Sequence, residues 1–329
     1  MRKIRKNHID IVVPCFNEAE CVPLLYKTVE KLFAEHLPQY GFSVIFVDDG
    51  SKDGTMDQIH ALAKAKGDDH VQFVSFARNF GKEAAMFAGF EKSSAELVAV
   101  MDADLQHPPT LLVDMVKAIT EEGFDCAAAR RVSRTGEGKI KSFFSQSFYY
   151  VINWATGMHF VPGMTDYRLM KRSVVDAIVS MKERERFLKG IYSWVGFKTK
   201  WIAYENVERA AGTSKWSFGS LLSYAKLGII AFAATPLRGV VWLGMFVVVI
   251  SFLYFLRVVY QTQTGAREWL DTTTIILLML FLGGVIITIL GLIGEYLARI
   301  YMEVKNRPIY IARETNIGEV EDGEGDEAD

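Results

Sequence analysis

Cysteine is scarce. The chain of 329 residues has 3, at Cys15, Cys21 and Cys126, an odd number with no C-x-x-C pair. That pattern fits reduced thiols in a cytosolic domain better than a disulfide framework. An excess of one charge is also missing: 37 Lys and Arg stand against 39 Asp and Glu, a net charge of -2, so bulk charge gives no case for nucleic acid. No apolar signal segment opens the chain. A basic tip (Arg2, Lys3, Arg5, Lys6) runs straight into a β-rich stretch, and the N-terminal domain is therefore expected in the cytoplasm. No G-x-G-x-x-G follows the first strand and no G-x-x-x-x-G-K-[ST] occurs, which argues against a dinucleotide oxidoreductase and a P-loop enzyme.

Apolar content is concentrated late. Gly239 to Leu256 and Thr272 to Gly294 contain no charged residue, and each run reaches the length of about 20 residues that a bilayer crossing needs. A buried core hairpin would read the same way, but such long uncharged runs are rare in soluble helices. Lys215, Lys226 and Arg238 precede the first run, Arg299, Lys305 and Arg307 follow the second, and a mixed loop with Arg257, Arg267, Glu268 and Asp271 lies between. The modest bias predicts two spans with both ends in the cytoplasm and a short external loop.

The first part of the chain alternates. Strands are predicted at His8 to Val13, Ser43 to Val47, Val71 to Phe76, Leu97 to Met101 and Phe124 to Ala129, and helices from Asn17-Glu18 to about His36, at Met56 to Ala65, Lys82 to Phe90 and Leu111 to Thr120. Alternation of this kind implies α/β architecture with a largely parallel sheet, where ligands bind beyond the carboxyl ends of the strands. Pro14 to Glu18, Asp48 to Ser51, Arg78-Asn79 and Asp102 to Gln106 all fall just after strands, so four polar sets should converge on one edge. Each alone would read as a cap or turn.

The last set organises the rest. A short apolar strand delivers Asp102 and Asp104, one residue apart, into a turn closed by Pro108-Pro109. Such oxygens suit a hard cation, Mg²⁺ or Mn²⁺, which keeps other positions for water and substrate phosphates and so points to a nucleotide diphosphate. A D-x-D by itself also suits an ordinary solvated turn.

Val13-Pro14-Cys15-Phe16-Asn17-Glu18, Val47-Asp48-Asp49-Gly50-Ser51-Lys52-Asp53-Gly54-Thr55, Arg78-Asn79-Phe80-Gly81-Lys82-Glu83-Ala84-Ala85 and Asp102-Ala103-Asp104-Leu105-Gln106-His107-Pro108-Pro109 together resemble the motifs of family 2 glycosyltransferases with the GT-A fold. More narrowly they resemble the polyprenyl-phosphate glycosyltransferases, the bactoprenol glucosyltransferases and dolichol-phosphate mannose synthases among them. The resemblance covers nearly the whole chain. It implies a Rossmann-like GT-A domain over residues 1–214, interfacial amphipathic helices over 215–236, two transmembrane helices over 237–298 and a cytoplasmic acidic tail over 299–329. By the same resemblance Pro14, Asn17, Glu18, Asp48, Asp49, Lys82 and Asp102 bind a UDP-sugar, and Asp102, Asp104 and Gln106 hold Mg²⁺ or Mn²⁺ on its diphosphate.

The segment after Ala129 should receive the second substrate. Arg130, Arg131, Arg134, Lys139 and Lys141 precede an aromatic stretch (Phe143, Phe144, Phe148, Tyr149, Tyr150, Trp154) that would suit a membrane surface, although a solvated basic loop reads equally well from composition. The resemblance implies that Arg130, Lys141, Ser145 and Arg209 grip the phosphate of a polyprenyl acceptor. Lys141 replaces an arginine found in some relatives, which weakens the case for a bidentate contact. Thr165-Asp166-Tyr167-Arg168-Leu169-Met170 matches the family segment with an acidic residue near the reacting centre; Asp166 would alternatively pair with Arg168 or cap a helix starting near Ser173. Arg186 to Gly190 and Arg209 to Trp216 match too. The second reads as a closing loop whose Lys215 faces the departing diphosphate, or else as an ordinary basic turn before a membrane.

The expected activity is inverting transfer of a hexose, glucose in the first instance, from a UDP-sugar to undecaprenyl phosphate, with Asp166, Asp104, Arg209 and Lys215 as catalytic residues. The expected location is the inner, cytoplasmic membrane as a multi-pass protein, with a separate flippase and later transferase downstream. Homo-oligomerisation is implied by analogy and by Gly283, Gly284, Gly291 and Gly294 in the second span. The alternatives are a GDP-mannose-dependent synthase and a catalytically silent nucleotide-sugar-binding membrane protein. No Q-x-x-R-W segment is present, and two spans are too few for a polymer channel, so a processive polysaccharide synthase does not fit. The acidic tail, from Glu314 on, is expected to be disordered.

Overall fold

The computed structural model describes residues 4–133, 160–184, 186–205 and 272–318, with separate positions at 153, 157 and between 242 and 263. Its chain divides into two units. One holds residues 1–150, 158–220 and 308–329, and the other residues 151–157 and 221–307.

The first unit is built on strands β1 (Arg5–Cys15), β2 (Gly41–Asp48), β3 (Val71–Phe76) and β4 (Ala95–Val100), alternating with helices α1 (Cys21–His36), α2 (Thr55–Lys66) and α3 (Lys82–Lys92), and followed by α4 (Leu111–Thr120) and β5 (Cys126–Ser133). β1 pairs in parallel with β2 and β4, and β2 with β3. These strands are continuous apolar runs because helices cover both faces: Ile9, Ile11, Val12, Val13, Val44 to Val47 and Val98 to Val100 are all buried. α1 presents Val22, Leu25, Val29, Leu32 and Phe33 to the sheet at helical spacing, and each fully buried aliphatic side chain contributes about 1.5–3 kcal/mol. Cys15, Cys21 and Cys126 are free and buried.

α3 lies flush on the sheet. A Cβ at Gly89 would stand 2.2 Å from Cγ1 of Val12, so no larger residue fits between this helix and β1.

The second half departs from simple alternation. After β5 come β6 (Met164–Lys171), α5 (Arg172–Ser180), α6 (Leu188–Trp194) and β7 (Thr199–Glu205), and the strand order is β7-β5-β6-β4-β1-β2-β3-β8. β6 inserts between β4 and β5 and runs antiparallel to both, whereas β7 is parallel to β5. The sheet is thus mixed, with a parallel centre. β6 was absent from the sequence reading because Thr165, Asp166 and Arg168 interrupt the apolar pattern of MTDYRLMK.

The tail expectation needs correcting at its start. β8 (Ala312–Thr315) adds antiparallel to β3, so Glu314 and Thr315 are part of the sheet. Its four residues are exposed, and with no apolar alternation to read, ladder hydrogen bonds and flanking side chains define it.

In the other unit α7 (Thr272–Val304) carries the second predicted span, and its segment Phe281–Val304 is long and apolar enough to cross a membrane, with mean hydropathy 1.9. Residues described between 242 and 263 are helical. The 215–236 helices lie outside the described residues.

Candidate active site

Four strand-to-helix connections meet at the carboxyl edge of the parallel strands, and backbone donors lock three of them together. Asn17 adopts φ 56, a left-handed conformation that asparagine tolerates, and its N–H donates to Ser51 Oγ at 2.9 Å while its Oδ1 accepts from Lys52 N–H at 2.9 Å. Glu18 N–H donates to Thr55 Oγ1 at 2.9 Å. The second connection touches the third at Gly50, with φ 70, where a Cβ would come within 2.7 Å of the Arg78 carbonyl carbon; glycine is required twice over.

Asp48, the last residue of β2, and Asp49 just after it are almost fully buried. Asp48 accepts from Ser51 N–H at 3.2 Å and from the Ser75 hydroxyl at 3.2 Å. Asp49 accepts from Phe80 N–H at 2.6 Å and Gly81 N–H at 2.9 Å, tethering the third connection to the second. Burial raises the Asp49 pKa, and those two N–H groups act against that rise.

The fourth connection carries the D-x-D. Leu105 stands at φ 54, a strained conformation for a branched residue that costs on the order of 1 kcal/mol. It folds the turn back, so that Asp104 Oδ1 accepts from Gln106 N–H at 3.2 Å. Pairing of Val100 with Arg168 in the antiparallel β4–β6 ladder, continued two residues, sets Asp102 opposite Asp166. Between them stands Lys82, the first residue of α3. Its Nζ lies 2.7 Å from Asp102 Oδ1 and 3.1 Å from Asp166 Oδ2.

This trio is the electrostatic centre. Burial alone would disfavour both charged forms, but the two carboxylates push the Lys82 pKa well up. Burial also acts to raise Asp166, yet the Lys82 ammonium, aided by Lys189 and Arg168, holds its carboxyl well below the usual range. Both stay charged at neutral pH.

Below the turn sits His107. Its ring packs 5.7 Å from Tyr167 and 5.4 Å from Tyr204, its Nδ1 is 3.9 Å from Asp102 Oδ2, and that nitrogen has no hydrogen-bond partner among the described residues. Burial lowers its pKa against the opposing pull of Asp102, and Lys82 adds to the fall. Tyr167 donates its hydroxyl to Pro109 O at 3.0 Å, fixing the Pro108-Pro109 turn. Sequence reasoning missed His107 and Tyr167 as supports of the site; the histidine's place directly after Gln106 was the one available signal.

Among the described residues no three His, Cys, Asp or Glu side chains form a metal-binding cluster. Asp102 and Asp104 with the Gln106 amide nonetheless suit a hard octahedral cation that leaves positions for phosphate oxygens. The ammonium already drawn against Asp102 shows that this turn attracts positive charge.

Of the expected acceptor residues, Arg130 is on β5, where its Nε donates to Pro162 O at 3.1 Å. Lys141, Ser145, Arg209 and Lys215 lie outside the described residues. Pro14 is in β1, paired with Val47, at the edge where the connections meet.

Residues 10–179 match glycosyl transferase family 2, and residues 235–300 match the GtrB C-terminal hairpin. The chain is 42% identical over 314 residues to CsbB of Bacillus subtilis (strain 168), covering 95% of this chain and 94% of that protein. It is 39% identical over 310 residues to the SfII prophage-derived bactoprenol glucosyl transferase of Shigella flexneri, covering 94% of this chain and 99% of that protein. Among solved structures it resembles a mannosyltransferase of Pyrobaculum calidifontis in complex with GDP-Man and Mn2+, with 17% identity, TM-score 0.46, and coverage of 70% of this chain and 64% of that one. With the family match spanning β1 to α5 and relatives aligned along almost its full length, the chain belongs to glycosyl transferase family 2 and is a glycosyltransferase.

Proposed function

We propose that the protein transfers glucose from a UDP-sugar to undecaprenyl phosphate at the cytoplasmic face of the membrane, in one displacement that inverts the anomeric carbon. The observation that carries this reading is the Asp102–Lys82–Asp166 arrangement beside the Asp104–Gln106 turn, at the edge where four connections meet. The acceptor is supported by the bactoprenol glucosyl transferase at 39% identity, and membrane anchorage by Phe281–Val304. The hairpin match supports two spans and a multi-pass topology.

Pro14, Asn17, Glu18, Asp48 and Asp49 form the nucleotide end. Asn17, Asp48 and Asp49 act by holding the connections in shape, and Pro14 and Glu18 face uracil and ribose. Asp102, Asp104 and Gln106 hold Mg²⁺ or Mn²⁺, which when bound neutralises charge on the diphosphate. A phosphate monoester has a second pKa near ~6, so the acceptor is largely ionised at neutral pH and needs no strong base. Its oxygen attacks the anomeric carbon, the bond from that carbon to the diphosphate oxygen breaks, and UDP departs with the electron pair. Asp166, held ionised by Lys82, orients the sugar or acceptor at the reacting carbon. Arg130, Lys141, Ser145 and Arg209 grip the acceptor phosphate, and Lys215 approaches the leaving diphosphate. The lipid-linked product then requires a separate flippase and a later transferase.

The test is transfer of radiolabel from UDP- and GDP-sugars to undecaprenyl phosphate by the purified protein, with Mn²⁺ or Mg²⁺ and with chelator. Cation-dependent labelling of lipid from UDP-glucose is the expected result. Labelling from GDP-mannose alone would replace the donor. UDP binding without labelled lipid from any sugar would make the protein a silent binder.

A further inference from the structure

After α7 the chain returns to the sheet, and what it holds there is the third connection. β8 pairs with β3 at Val74–Thr315, Ser75–Glu314 and Phe76–Ala312. Just beyond β3, Ala77 N–H donates to Ile311 O at 2.9 Å, and Arg313 Nη2 donates to Ala77 O at 3.3 Å. The far end is clamped by Asn316, whose Oδ1 accepts from Phe73 N–H at 2.7 Å and whose Nδ2 donates to Val71 O at 2.9 Å. Covering an exposed sheet edge would account for the ladder. It does not account for Tyr310.

Tyr310 precedes β8 and touches both elements that flank the third connection. Its ring stacks on Phe76, the last residue of β3, with centroids 4.9 Å apart and planes 22° from parallel. Its hydroxyl donates to Glu91 Oε2 on α3 at 2.6 Å. Phe76 in turn meets Phe80 edge-on at 5.7 Å. Residues 77–81 are thus held at one end by Phe76 and at the other, where they enter α3, by Asp49 through Phe80 and Gly81. Lys82 follows at once.

The geometry points to Tyr310 as a positioning residue for this connection: the segment emerging from the apolar helix fixes the spacing between β3 and α3, and with it the placement of Lys82 between Asp102 and Asp166. Its consequence for catalysis rests on the proposed donor site; its consequence for the connection does not. A chain cut before residue 308 would keep every active-site residue yet lose the strap that sets their spacing.

Hydrogen exchange on the full chain in detergent tests the placement directly, comparing wild type with Tyr310→Ala and the milder Tyr310→Phe, which keeps the stacked ring. Exchange across residues 77–82 should rise about tenfold in Tyr310→Ala and less in Tyr310→Phe, with β1 and β2 unchanged, since local opening is read separately from global unfolding. Wild-type exchange in both variants, or an equal rise over the whole sheet, would overturn the inference. A second arm measures binding of UDP with Mn²⁺ and the KM for undecaprenyl phosphate. Tyr310→Ala should weaken UDP about tenfold, some 1.4 kcal/mol, and leave the acceptor KM in place. Equal weakening of both would reduce Tyr310 to general stability. Wild type that binds no UDP would overturn the donor-site reading, while the exchange result still decides the strap.

Discussion

At the starting end of the sheet Asp10 is wholly buried and fully answered: Arg5 Nη2 lies 2.6 Å from its Oδ1, and its Oδ2 accepts from Ser94 and Ala95 N–H at 2.7 and 2.8 Å. At the finishing end Asp102 and Asp166 share a single lysine whose side chain is 44% exposed. Both ends hold carboxylates near apolar strands, but one is closed with a guanidinium and fixed backbone donors and the other with a flexible ammonium. An arginine fork against fixed N–H groups holds one geometry; a lysine on a four-carbon stem yields its place to another cation or a phosphate-bearing ligand. The first arrangement is built to stay and the second to be entered.

That contrast can be broken from either side. Asp104→Ala, which takes a carboxylate from the open end, should lower lipid labelling by about 10³-fold, equivalent to ~4 kcal/mol of transition-state stabilisation, with the melting temperature nearly unchanged. Asp10→Ala should do the opposite. Leaving Arg5 charged and two buried N–H groups unpaired costs about 3–5 kcal/mol of stability in denaturant titration, while molecules that stay folded transfer sugar at the wild-type rate.

Lys82→Met tests the trio itself. Transfer should slow about 10- to 100-fold, or ~1.4–2.7 kcal/mol, with melting shifted by a few degrees at most; a collapse of stability with normal turnover would place Lys82 with Asp10 and not with the site. The smallest effect belongs to His8, whose Nε2 is 2.9 Å from Ser43 Oγ beside Arg5. Burial, then Arg5, lowers its pKa from 6.5. The unfolded chain therefore binds the proton first, and stability falls as pH drops below 6.5 towards the folded value. His8→Gln should remove that fall, worth at most ~1.4 kcal/mol per pH unit for one proton, as measured by unfolding at pH 7 and pH 5.5.

Local signals account for what the sequence made legible. Val71–Phe76 and Leu111–Thr120 match their predicted bounds, because an apolar run between polar turns and an amphipathic stripe both report on neighbours a few residues away. Ser43 to Val47 and Met56 to Ala65 grew by a residue or more at their ends, where caps decide. β6 and β8 were invisible for a different reason. Their pairing energy comes from strands remote in the chain, and neither Asp166 nor Glu314 carries a strand signal of its own.

The site divides the same way. The D-x-D turn and the polar sets after strands were readable, since topology alone brings them to one edge. That Lys82 bridges Asp102 and Asp166, 84 residues away from the latter, was not, because the bond exists only once β6 is inserted beside β4. His107 and Tyr167 were likewise hidden, being visible only as packing beneath the turn.

The flush seat of Gly89 on Val12 sets a mechanical tolerance for this arrangement. Lys82 stands seven positions earlier on the same helix, about 10 Å along its axis at 1.5 Å per residue. With Gly89 as fulcrum, a small tilt of α3 is magnified at the ammonium, so a contact at the bottom of the helix governs the precision at its tip.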